Sequence, residues 1–202
     1  MSMTAHRGTA VTQRHRFIER LERRRLLSAA IDAAGVLHVD GTAKADKIIL
    51  SRDKRTSLLA NVNGVTQIFN SAEVSRIVID ARGGDDIIQI RPATNGATIT
   101  QPITVRGGAG NDLIFGGPGS EKIFAGEGDD TVSGGDGRDS LYGEDGNDSL
   151  RGNGASDLID GATGYDTLRG DAGNDNLSGG DNPDRLRAVS YTHLTLPTIL
   201  LV

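Results

Sequence analysis

Residues 107–115 read GGAGNDLIF, and eight more nonapeptides follow without an insertion: GGPGSEKIF (116–124), AGEGDDTVS (125–133), GGDGRDSLY (134–142), GEDGNDSLR (143–151), GNGASDLID (152–160), GATGYDTLR (161–169), GDAGNDNLS (170–178) and GGDNPDRLR (179–187). The sixth position is always a carboxylate: Asp112, Glu121, Asp130, Asp139, Asp148, Asp157, Asp166, Asp175 and Asp184. The eighth is always apolar, from Ile114 and Ile123 through Val132 to Leu186. A register that never slips over nine units is the mark of a repeat architecture, in which each unit is too small to bury a core alone and stacks on its neighbours. The glycines open left-handed backbone conformations and leave carbonyl oxygens unshielded. The residues around the eighth position suit a short strand with one side chain turned inward and its neighbours outward.

The rest of the 202-residue chain differs in composition. Aromatic residues make up 3% and Trp is absent, so a large three-dimensional core is not expected. Residues 107–187 hold 21 of the 28 glycines and set 17 acidic residues against 6 basic ones, whereas residues 1–106 set 16 basic residues against 10 acidic ones. A concentrated acidic block suits hard cations and argues against nucleic acid as a partner. There is no Cys, which excludes disulfides and thiolate metal sites. No apolar run reaches 18 residues, so no membrane-spanning helix is expected.

The nonapeptide resembles the G-G-x-G-x-D-x-U-x repeat of RTX (hemolysin-type) proteins. That resemblance implies an all-β fold: a parallel β-roll, a β-helix-like solenoid in which two nonapeptides make one turn and same-sided loops recur every 18 residues. At about 4.8 Å per turn, nine units give a stub only ~20 Å long. It also implies calcium as the bound ion. Calcium takes six to eight oxygens, more than one loop supplies, so stacked loops share each ion. By resemblance, the metal-binding residues are Asp112, Asp130, Asp139, Asp148, Asp157, Asp166 and Asp175, with Gly108, Gly110, Gly126, Gly128, Gly135, Gly137, Gly146, Gly164 and Gly173 in the loops. Glu121, Asp184 and Asp86 are weaker candidates. One side would pair Asp112/Asp130, Asp130/Asp148, Asp148/Asp166 and Asp166/Asp184, and the other Glu121/Asp139, Asp139/Asp157 and Asp157/Asp175. Up to about seven inter-turn ions result. Several units depart from the pattern: Glu121 is one methylene longer than Asp, Ala125 replaces a first glycine, and Ala155 and Asn182 replace fourth glycines. Because acidic residues repel and one inward side chain per unit buries little, folding is expected to be coupled to metal binding.

Upstream, residues 35–106 are expected to form an irregular β cap over the N-terminal end of the roll, which shields an otherwise exposed sheet edge. Strand-like stretches run over 47–51, 57–62, 65–69, 75–80, 98–100 and 103–105, and Asn63-Gly64 signals a type I′ hairpin. Two degenerate units stand out. The stretch from Gly41 keeps Asp46 and Ile48, and Asp46 reads as a turn residue. Gly83-Gly84-Asp85-Asp86-Ile87-Ile88 keeps the fourth glycine, the Asp and the Ile. Asp86 either shares calcium with Asp112, although 26 residues separate them, or is a turn aspartate.

Residues 1–34 form a basic N-terminal segment, read as a short amphipathic helix or tail and lacking the apolar stretch of a secretory signal peptide. Within it, Leu21–Leu27 reads LERRRLL. It resembles the LEPRxLL motif near the N-termini of large surface or exported proteins of one bacterial phylum, and departs from it at Arg23, where the motif has Pro. The periodicity ends at Arg187, and the SYTHLTLPT of 190–198 resembles a translated sequencing adapter. The domain expectation is therefore 1–34 as a sorting-like segment, 35–106 as cap, 107–188 as calcium-binding roll and 189–202 as a non-native tail.

Three function classes fit: a calcium-binding structural module of an exported or cell-surface protein, a truncated RTX enzyme, or an adhesin fragment meeting cell envelope or polysaccharide through Tyr142, Tyr165, Arg151 and Arg169. The residues present carry no H-E-x-x-H and no G-x-S-x-G, so catalysis is not expected of them. His38 reads as structural.

Overall fold

In the computed structural model, the residues described are 29–53, 56–92, 96, 98–188 and the backbone of 193–195. The LERRRLL segment and most of the adapter-like tail lie outside them. The strands of the first half are β1 (Ala29–Ile31), β2 (Val36–Asp40), β3 (Lys47–Arg52), β4 (Ser57–Val62), β5 (Val65–Asn70), β6 (Arg76–Asp80) and β7 (Ile87–Arg91). The repeat region follows with β8 (Ile103–Ala109), β9 (Leu113–Phe115), β10 (Glu121–Glu127), β11 (Thr131–Gly135), β12 (Ser140–Asp145), β13 (Ser149–Gly154), β14 (Leu158–Thr163), β15 (Thr167–Ala172), β16 (Asn176–Ser178) and β17 (Arg185–Ala188). A last strand, β18 (His193–Thr195), lies beside β16.

These strands alternate between two nine-stranded sheets. One has the order β1-β2-β6-β8-β10-β12-β14-β16-β18 and the other β17-β15-β13-β11-β9-β7-β3-β4-β5. Every pairing inside the array is parallel, and the register advances by one turn of the roll: Ile123 pairs with Leu141, Leu141 with Ile159, and Val132 with Leu150. The eighth-position side chains from Ile114 to Leu177 are at most 1% exposed and stack in two files, one on each sheet, within one core. The all-β parallel roll is thus the architecture of the described residues.

Residues 35–106, expected as an irregular β cap, hold strands more regular than their sequence suggests. Antiparallel pairing is confined to the outer end, where β1 pairs β2 and β3-β4-β5 form a meander. Asn63 (φ 51°) and Gly64 (φ 85°) make the β4–β5 turn with both residues left-handed, as type I′ requires. The other strands continue the parallel ladder. β2 pairs β6, β6 pairs β8, β3 pairs β7 and β7 pairs β9. β8 itself crosses the boundary at residue 107, so the change in sequence there is not a break in the fold. Residues 98–100, expected as a strand, form none.

Candidate metal centre

Each loop of the roll ends on a carboxylate just before a strand begins, so stacking the strands also stacks the carboxylates. Two ladders result. Loops entering the second sheet place Asp46, Asp86, Asp112, Asp130, Asp148, Asp166 and Asp184 in one line. Loops entering the first sheet place Glu121, Asp139, Asp157 and Asp175 in the other.

One contact recurs at every rung. The backbone N–H of each carboxylate residue donates to Oδ1 of the carboxylate one turn on. Asp112 donates to Asp130 at 2.7 Å, Asp130 to Asp148 at 2.8 Å, Asp148 to Asp166 at 2.8 Å, Asp139 to Asp157 at 2.8 Å and Asp166 to Asp184 at 2.9 Å. The carbonyl of each rung in turn accepts from the next strand, as in Thr131 N–H to Asp112 O (2.9 Å) and Thr167 N–H to Asp148 O (2.7 Å).

The second oxygen of these carboxylates has no such partner. Oδ2 of Asp86, Asp112, Asp130, Asp139, Asp148, Asp157, Asp166, Asp175 and Asp184 is buried and accepts no hydrogen bond. A buried polar atom left unpaired is costly, and a regular series of them calls for a ligand. Where the first position of a loop is glycine, the space around it shows why. A Cβ on Gly143, Gly152 or Gly161 would collide with Oδ2 of Asp148, Asp157 or Asp166. It would also lie 2.7, 2.9 or 2.6 Å from the carbonyl oxygen of Gly161, Gly170 or Gly179 one turn on. A carboxylate oxygen and a backbone carbonyl from adjacent turns therefore face the same space. No point among the described residues gathers three acidic or histidine side chains into a metal-sized cluster. A cation here has to draw much of its shell from backbone carbonyls, which suits calcium, a hard ion with flexible coordination.

The second and fourth positions supply the turn. Gly108, Gly126 and Gly135 at the second position, and Gly110, Gly128, Gly137, Gly146, Gly164 and Gly173 at the fourth, all have positive φ. Where the sequence departs from glycine the conformation persists: Glu144, Asn153, Ala162 and Asp171 at second positions, and Ala155 and Asn182 at fourth positions, hold φ between 69° and 79°. The loop of 116–121 is the exception. Neither Gly117 nor Gly119 has positive φ, and the longer Glu121 side chain bends back to accept from Gly117 N–H at 2.9 Å.

Electrostatics point the same way. Burial, the largest cause, pushes the Asp139 carboxyl up to about 8, Asp130 and Asp86 to about 7, and Asp112, Asp148 and Asp157 to about 6. The backbone N–H bond opposes this shift, and neighbouring carboxylates in or beside the ladders add to it. Asp166 and Glu121 are raised for the same first reason.

The ladders join most of the residues expected from sequence, including the weaker candidates Asp184 and Asp86. Asp46, expected as a turn residue, is the first rung: its N–H donates to Asp86 Oδ1 at 2.6 Å. His38 stands apart, its Nε2 3.1 Å from Asp32 Oδ2 on a solvent-facing surface.

A solenoid with buried, donor-poor carboxylates in register between its turns defines a class, the cation-binding parallel β-roll. A family model gives the particular repeat: residues 104–186 are RTX calcium-binding nonapeptide repeats, matched in four overlapping copies at 104–132, 115–150, 124–159 and 151–186. No curated protein and no solved structure matches the chain. The array binds calcium.

Proposed function

We propose that this chain is a calcium-dependent folding module of an exported or cell-surface bacterial protein. Nine buried Oδ2 atoms without a donor carry that reading. Ions shared between same-sided loops satisfy them, up to about six within the array, because Glu121 already accepts from Gly117 N–H. Without the ions, the ladders leave buried carboxylates unpaired. An RTX-type chain would cross a secretion channel unfolded and fold where external calcium is high, because metal binding and folding are one equilibrium when the site does not pre-exist.

The role proposed is structural rather than catalytic, since the buried acids of the repeat region belong to the ladders, apart from Asp171, which is held by Arg151 and Arg169. Among the described residues no helix is long and apolar enough to cross a membrane. For an envelope or polysaccharide partner, the outward faces offer Tyr165, the stacked Phe124–Tyr142 pair and the Arg151–Asp171–Arg169 cluster, and pull-downs with and without calcium test that contact.

Circular dichroism during a calcium titration tests the central reading. The expected result is a cooperative gain of β signal. Full signal in excess chelator would overturn it.

A further inference from the structure

The geometry points to a tenth cation-binding unit, residues 81–89, outside the matched repeats: its Asp86 takes a calcium ion together with the Asp112 loop, while Asp46 ends the ladder without metal. This rests on the calcium reading of the array.

Residues 81–89 read ARGGDDIIQ, and the third array unit reads AGEGDDTVS. Both begin with Ala, keep the fourth glycine and set two Asp before the strand. Their backbones agree as well. Arg82 (φ 75°) and Gly84 (φ 101°) are left-handed at the second and fourth positions, like Gly126 (φ 125°) and Gly128 (φ 124°). Gly84 N–H donates to Ala109 O at 2.7 Å, as Gly110 N–H does to Glu127 O and Gly128 N–H to Asp145 O, both at 2.8 Å. The fifth position repeats too: Asn111 N–H donates to Asp85 Oδ1 at 2.9 Å, as Asp129 N–H does to Asn111 Oδ1 at 2.8 Å. Carbonyls of Arg82 and Gly84 lie against Gly108 and Gly110, as those of Gly108 and Gly110 lie against Gly126 and Gly128. Asp86 is 1% exposed, and its Oδ2 is unpartnered.

Asp46 differs in the one respect that matters. Its Oδ2 accepts from Thr42 N–H at 2.5 Å and from the Thr42 hydroxyl at 2.9 Å, and its Oδ1 accepts from the Asn63 amide. Protein donors therefore do for Asp46 what a cation does for the later rungs. The second ladder starts in the same manner, on Glu121 and Gly117 N–H. Each ladder begins with a carboxylate neutralised by hydrogen bonds, and every rung after it is left open for metal.

Native mass spectrometry of the full chain at saturating calcium counts the ions. Asp86→Asn is expected to bind one ion fewer than the unaltered chain. Asp46→Asn is expected to keep the full count, and Asp130→Asn, inside the array, to lose at least one. The inference is overturned if Asp86→Asn keeps the full count, or if Asp46→Asn loses as many as Asp86→Asn. An Asp86→Asn chain that stays unfolded at saturating calcium overturns it as well, because losing one outer site leaves the others intact. Failure of the unaltered chain to bind calcium would sink the array reading itself.

Discussion

The two halves of the roll share one ladder and differ in what holds it together. In the first half five of the seven strands turn two or three apolar side chains inward: Val36, Leu37 and Val39 on β2, Ile48 and Leu50 on β3, Leu58, Ala60 and Val62 on β4, Ile77 and Ile79 on β6, Ile88 and Ile90 on β7. Strands β11 to β16 each bury one: Val132, Leu141, Leu150, Ile159, Leu168 or Leu177. Burying a Leu contributes roughly 2–3 kcal/mol, whereas ordering each backbone residue costs about 1–2 kcal/mol. A single inward side chain per nine residues falls well short, and the array has to be completed by its ions. One backbone geometry can thus rest on apolar burial at one end and on metal at the other.

Chelation is the strongest way to break this contrast. Hydrogen exchange in excess chelator is expected to leave the amides of β2, β3, β4, β6 and β7 protected and to strip protection from β11 to β16. Equal protection, or equal loss, in both regions would mean that the halves fold as one unit whatever the source of their stability.

Acidity should act on the array next most strongly, and in opposite senses with and without metal. Asp139, Asp130, Asp112, Asp148 and Asp157 have folded-state values raised to about 6–8 from an ordinary 3.8. The metal-free folded array therefore holds protons that the unfolded chain has released. Stability contributed by these groups is fully present below about pH 4, falls as pH rises through 6 to 8, and changes no further above that. In chelator, β signal at pH 5 should exceed that at pH 8. With calcium the order reverses, since protons compete with the ion for the same oxygens. Identical pH profiles in the two conditions would remove the carboxylates from the folding equilibrium.

Single substitutions sharpen the contrast. Asp148 accepts from Asp130 N–H and donates its own N–H to Asp166, so Asp148→Asn disturbs two adjacent loop pairs. A hydrogen bond to a charged group contributes about 1.5–3 kcal/mol, so the calcium midpoint for folding should rise on the order of ten- to a hundredfold. Ile79→Ala, in the first half, should cost about 2–5 kcal/mol of thermal stability through the cavity it leaves. Its effect on the calcium midpoint of the array should be small. A titration monitored region by region reads both.

Much of this was legible in the sequence, because position six and position eight carry the fold and neither ever changes class over nine units. The type I′ turn was equally legible in Asn63-Gly64. What the sequence concealed was continuity. Asp46, Asp86 and Asp112 are 40 and 26 residues apart, not 18, because the β4–β5 hairpin and the segment 92–102 interrupt the count. Only the paired strands bring the three into line. The left-handed second position was hidden for a different reason. Glu144, Asn153, Ala162 and Asp171 adopt it under tertiary constraint against their own preference, so composition gives no sign of it.

Glu121→Asp is the smallest expected effect and separates two explanations for the odd loop. Glu121 is the one array carboxylate that accepts from its own loop, and its loop lacks the left-handed second and fourth residues found in the others. If side-chain length alone set this loop apart, shortening it would create an orphaned oxygen and recruit one more ion to the second ladder. The loop backbone argues otherwise: Pro118 lies between two glycines that are not left-handed, and a shorter carboxylate leaves that conformation in place. The expected outcome is an unchanged ion count by native mass spectrometry, with a loss of about 1 kcal/mol for the missing Gly117 contact. One additional ion would show that the loop follows the side chain, and the ladder would then start a rung earlier than its present hydrogen-bonded stop.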